Sequence, residues 1–89
     1  MRSVIIGYDL NNPGKDYSTL IAAIKKLGGW WHCLDSTWIV KSDVSPEAIR
    51  NSLMPLLDKN DEIFVGILNG TAAWAGFDSS CSDWLKANL

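Results

Sequence analysis

Hydrophobic positions follow two rhythms along this chain: short dense apolar runs, and stripes at helical spacing, with Gly, Pro and Asn clusters between them. The first run, Ser3–Asp9 (SVIIGYD), predicts a strand closed by the Asn11-Asn12-Pro13-Gly14 turn cluster. Its apolar side chains occupy both parities, which marks a central strand rather than an edge, and Gly7 leaves room for close backbone approach. From Asp16 to Leu27, Tyr17, Leu20, Ile21, Ile24 and Leu27 recur at helical spacing, and Gly28-Gly29 stops the helix. Lys25 and Lys26 suit the negative end of its dipole.

The next segment predicts a hairpin, one strand over Trp30–Leu34 and the other over Ser36–Lys41, with Asp35-Ser36 at the turn. Ser45 reads as an N-cap with Pro46 at the first helical position and Val44 and Ile49 as a hydrophobic staple. The helix that follows turns Ile49, Leu53, Leu56 and Leu57 inward, and Pro55 loosens its last turn. Ile63, Phe64, Val65 and Ile67 form the last main strand, apolar on both faces. "NGTAAWAGF" reads as a short extension strand, and Ser79–Ser82 as the cap of a terminal helix with Trp84 and Leu85 inward.

The order β-α-β-β-α-β plus a tail is that of a ferredoxin-like α+β domain, residues 1–89, with a four-stranded antiparallel sheet and a C-terminal strand/helix tail. In that topology the strands lie in the order fourth, first, third, second, so Asp9 and the Asp35-Ser36-Thr37 turn meet at one end of the sheet. Two carboxylates and two hydroxyls are hard oxygen ligands of the kind Mg²⁺ takes. Both helices lie on one face, leaving the other to solvent or a partner. Two-fold pairing across that face would bring the two copies of Asp9 together, an arrangement that needs a cation or a proton between them.

Composition adjusts this picture. With 47% hydrophobic residues and five tryptophans in 89 residues, more aromatic surface is present than a small core covers, so a homodimer is expected. A net charge of −2 and a pI near 5.1 argue against a strongly basic nucleic-acid binder. No apolar stretch approaches the roughly 20 residues that cross a bilayer, and no secretory leader is legible, so no membrane association is expected. Cys33 and Cys81 have no CxxC spacing and the only histidine is His32, a poor set for zinc. The cysteines read as free, reduced thiols of a cytoplasmic protein.

"SVIIGYDL" followed by a helix, then "STWIV" running directly into "SPEAI", resembles the CRISPR-associated Cas-two proteins, and more closely their SinR-like, VapD-like and GhoS-like relatives. The resemblance spans about Ser3 to Leu68 and implies a ferredoxin-like homodimer. It matches Asp9 to the family's acidic residue at the end of the first strand, and Ser36 to its hairpin serine. Some members of that family are metal-dependent nucleases acting on RNA or DNA, and others bridge partner subunits without cutting. This chain departs from the pattern in having only Lys15 as a basic residue after the first strand, and in its tryptophan-rich hairpin.

Two functions therefore stand side by side. In the first, a Mg²⁺- or Mn²⁺-dependent nuclease, Asp9 is the metal ligand and Asp35 and Ser36 assist as catalytic residues. In the second, a non-catalytic dimeric interaction module, the chain binds a protein partner or nucleic acid and Asp9 holds the turn by accepting backbone amides. Asp35 reads equally as a hairpin-turn residue, and His32 as a half-buried sheet residue on the face opposite Asp35. Trp30, Trp31 and Trp38 lack neighbouring cations and read as core or interface. Asp58, Lys59, Asp61 and Glu62 read as a solvated loop.

Overall fold

The computed structural model describes residues Met1–Leu89. Strand β1 (Arg2–Asp9) is followed by α1 (Ser18–Lys25), β2 (Trp30–Leu34), β3 (Thr37–Ser42), α2 (Pro46–Leu53), a 3₁₀ turn (Met54–Leu56), β4 (Glu62–Leu68) and α3 (Ser79–Asn88). All strand pairs are antiparallel, in the order β2-β3-β1-β4. No helix is long and apolar enough to cross a membrane.

Local chemistry accounts for most boundaries. Ser45 caps α2 by accepting the Ala48 amide at 3.1 Å, with Pro46 at the first position. Pro55 has no N–H to continue the helix, and the chain tightens there into the 3₁₀ turn. Gly28 lies against the Lys41 carbonyl so closely that any Cβ would collide with it, and Gly29 accepts the Lys41 amide at 2.8 Å. The cap of α3 is Asp78, which accepts the Cys81 amide at 2.9 Å, one residue before the expected Ser79–Ser82 segment. No strand forms over 69–77.

On one face of the sheet, Val4, Ile6, Tyr8, Trp38 and Val40 bury against Leu20 and Ile24 of α1 and Ile49 and Leu53 of α2. Trp38 Nε1 donates to the Tyr8 hydroxyl at 2.9 Å, which satisfies the one polar group of the buried indole. On the other face, Trp31, Ile39 and Leu85 form a second buried cluster, flanked by Ile5, Leu68, Trp74, Phe77 and Trp84. Helix α3 therefore covers the face expected to be open.

This placement corrects the ferredoxin-like expectation and its strand/helix tail. The chain is an α+β fold with four antiparallel strands in one sheet and three helices, and those helices lie on both faces. The physical reason was present in β1 and β3: Ile5 and Ile39 pair on the second face and need apolar cover, which the chain's own terminal helix supplies. A hydrogen-bonded clasp holds the end of that helix. The Asn88 carbonyl accepts from Ser3 Oγ at 2.8 Å and from Lys41 Nζ at 3.0 Å, a cation placed at a helix C-terminus.

The reading of Cys33 and Cys81 as free thiols is also corrected. They form a disulfide between β2 and α3, with 6.4 Å between their Cα atoms. Residues 48 apart in sequence are brought together only by the docking of α3, which spacing alone does not show. The thiol argument for a reducing compartment accordingly falls away.

Closing a loop of 48 residues is worth about 4 kcal/mol on the chain-entropy account. Reduction is expected to lower the unfolding free energy by up to about that amount. Guanidinium titrations with and without reductant measure it, and hydrogen exchange is expected to show the largest loss of protection in α3.

Candidate functional site at the open end of the sheet

Helix α3 leaves the Asp9 end of its face uncovered. A surface depression of about 350 Å³ opens there, lined by Gly7, Asp9, Ser36, Thr37, Glu62 and Phe64 among others. A Cβ built on Gly7 meets nothing within 4 Å, so the floor of the depression is bare backbone. The Tyr8 amide donates to the Ser36 carbonyl at 3.1 Å, which ties the hairpin turn to the end of β1.

Asp9, Ser36 and Thr37 are thus brought together, with Ser36 in the turn and Thr37 opening β3. Asp35 is not among the residues lining the depression; it lies exposed in the hairpin turn. The carboxylate that does face Asp9 is Glu62, its direct cross-strand partner on β4. Like charges directly opposite on a sheet repel, and both side chains are exposed. Asn11 Nδ2 lies 3.4 Å from Glu62 Oε1 and donates more closely, at 2.7 Å, to the Asn60 carbonyl.

Nowhere do three or more His, Cys, Asp or Glu side chains converge as a ready ligand set. The donor set at the open end is two carboxylates with two nearby hydroxyls. It fits a hard cation that keeps most of its own water, and does not fit zinc.

The loop read as simply solvated contains the best-connected carboxylate of this region. Asp61 accepts from the Asn11 amide at 2.6 Å, from the Tyr17 hydroxyl at 2.9 and 2.7 Å, and from the Asp58 amide at 2.7 Å. It joins the β1–α1 loop to the entry of β4, a turn-holding role of the sort the sequence suggested for Asp9. Partial burial pulls the Asp61 carboxyl upward, but those hydrogen bonds and the Lys15 charge outweigh it and hold it below the ordinary carboxylate value. The Tyr17 hydroxyl is raised, first by burial and then by its bond to Asp61.

His32 lies on the other face, stacked on Trp38 with 3.7 Å between ring centroids and an interplanar angle of 5°. Its Nδ1 is 3.1 Å from the Thr37 carbonyl; a carbonyl only accepts, so Nδ1 carries the hydrogen in that contact. His32 and Asp9 are therefore not one catalytic unit. Trp31 and Trp38 are core residues, whereas Trp30 stands exposed beneath the Lys25 ammonium, 4.9 Å from its ring. Strict alternation places Leu34 with Trp30 and His32, but a register shift between Trp31 and Leu34 breaks it. One extra residue on β2 turns Leu34 to the Trp31 and Ile39 face.

Asp16 is held low by accepting the Ser18 amide, and Asp78 by accepting the Cys81 amide, so two further carboxylates share the behaviour of Asp61. A folded-state pKa below the unfolded value of about 3.9 gives stability that is complete above that pH and lost as pH falls through the lower folded values. Acid unfolding curves are expected to show a decline below about pH 4 that is shallower in Asp61→Asn, which is also less stable at neutral pH. Tyr17→Phe is expected to weaken stability at neutral pH in the same direction.

No family model matches the chain, and neither does any curated protein or solved structure.

Proposed function

We propose that the chain is a dimeric interaction module that uses the free β4 edge of its sheet to form the dimer and binds a protein partner through the open end. One observation carries this: large hydrophobic side chains stand in solvent at both places, Phe64 at 67% and Leu34 at 47% exposure towards the end of the sheet that holds the Asp9–Glu62 carboxylate pair, and Ile67 at 45% further along β4. Apolar surface rimmed by charge is the usual composition of a recognition site. Two facing carboxylates and a net charge of −2 repel a phosphate backbone, which favours a protein over a nucleic acid as the partner.

Metal-dependent nucleic-acid cleavage is the second function, and the Asp9–Glu62 juxtaposition together with the Cas-two resemblance supports it. Asp9 and Glu62 would hold Mg²⁺ or Mn²⁺, with the Ser36 and Thr37 hydroxyls positioned to bond its waters. A bound divalent ion supplies an acidified water and neutralises charge on the phosphate. Because α3 occupies the centre of the face across which two Asp9 residues were expected to meet, Glu62 of the same chain takes the second carboxylate's part.

Labelled RNA and DNA incubated with wild-type protein, Asp9→Asn and Glu62→Gln, in Mg²⁺, Mn²⁺ or EDTA, separate the two. The module is expected to give no cleavage that depends on both metal and Asp9. Cleavage that needs metal and disappears in Asp9→Asn with the fold intact overturns the module and establishes the nuclease.

A further inference from the structure

The two edges of the sheet are unequal. β2 is short, is interrupted by the shift between Trp31 and Leu34, and is clamped to α3 through Cys33. Bulges and short strands are how natural sheets prevent edge pairing. β4 carries none of these protections. It runs seven residues in unbroken register with β1, and Ile63 to Leu68 contain no charge and no proline. Its backbone makes no hydrogen bond outside the ladder with β1.

From this asymmetry we infer that β4 pairs antiparallel with β4 of a second copy, about a two-fold axis at Val65, extending the sheet from four strands to eight. The inference rests on the dimeric module proposed above and specifies how its two chains meet. The occupant is a second copy because the strand is complementary to itself about Val65. In that register Ile63 faces Ile67 of the partner subunit, Phe64 faces the partner's Gly66, and Glu62 faces the partner's Leu68, so no like charges meet.

Phe64 and Gly66 fit this register closely. Phe64 already leans along its own strand, for a Cβ on Gly66 would lie 2.9 Å from its Cε1. Across the axis, each ring would cover the partner's glycine, a compensation that stabilises glycine within a sheet. On the opposite face, Ile63 and Met54 line one depression, and Met54 is 53% exposed. The partner's Ile67 would extend that apolar stripe across the axis. The antiparallel arrangement also holds the two Asp9 residues apart, since each lies beside the Glu62 end of its own β4.

Sedimentation velocity at high micromolar concentration, with Phe64→Lys, Ile67→Lys and Val65→Cys, tests this in the full chain with Cys33 and Cys81 left paired. Wild-type protein is expected to be a dimer, and each lysine variant to raise the dimer dissociation constant by about tenfold or more while keeping its circular dichroism. Val65→Cys is expected to cross-link chain to chain under mild oxidation, because directly opposed positions lie within disulfide reach. Should a lysine variant fail to fold, that cross-link still decides. A wild-type dimer that neither lysine weakens, and that Val65→Cys does not link, overturns β4 pairing and leaves the module in place. A monomer throughout overturns both. Metal-dependent cleavage by a β4-paired dimer overturns only the module.

Discussion

The architecture follows from one constraint: β1 is apolar on both faces and sits between two other strands. Val4, Ile6 and Tyr8 demand cover on one side, and Ile5 on the other. A two-layer sheet meets only the first demand. The chain meets the second with its own C-terminal residues, at the cost of ordering a segment with little regular structure, 69–78, to carry α3 across. A face that would otherwise be open to solvent or a partner becomes an internal core. The surface left for partners shrinks to the end of the sheet and to its β4 edge.

The two cores differ in kind. The α1/α2 side is a contiguous cluster of nine buried residues, closed by interdigitated aliphatic side chains around Trp38. The α3 side has three buried residues, and specific bonds supplement it: the Cys33–Cys81 link, the Trp31 indole donating to the Cys81 carbonyl at 3.1 Å, and the Lys41 and Ser3 clasp on Asn88. Area burial stabilises the first layer, while cross-linking and directional bonds fix the position of the second. The position of α3 therefore depends on a few anchor points, Cys81, Ser3 and Lys41 among them.

The sequence made the elements legible where physics is local. Dense apolar runs marked the strands, helical spacing marked α1 and α2, and Ser45-Pro46 marked a boundary to the residue. Two features of the site depend on partners distant in sequence and escaped, and a third, near it, depends on a local irregularity. Glu62 faces Asp9 because β4 lies beside β1, and that pairing follows from the strand order once the register is fixed. Asp61 looks like any loop carboxylate until Asn11 and Tyr17 converge on it. Leu34 changed face because one extra residue in β2 reverses alternation, and nothing in "WWHCLDST" announces a bulge. The docking of α3, and with it the disulfide, is a contact between residues 48 apart that no local pattern marks, so the second face reads in sequence as open to solvent or a partner.

The central position of β1 has a consequence in time. It is synthesised before the other three strands of its sheet, yet its pairing with β4 joins Ser3 to Leu68. Neither of its hydrogen-bonding edges is satisfied until β3 and then β4 exist. Contacts this far apart in sequence slow folding relative to helical domains of equal size. During that interval a strand apolar on both faces waits with both edges open, a period when association with other chains competes with folding. The strand that organises the finished molecule is thus the one most vulnerable before it is finished.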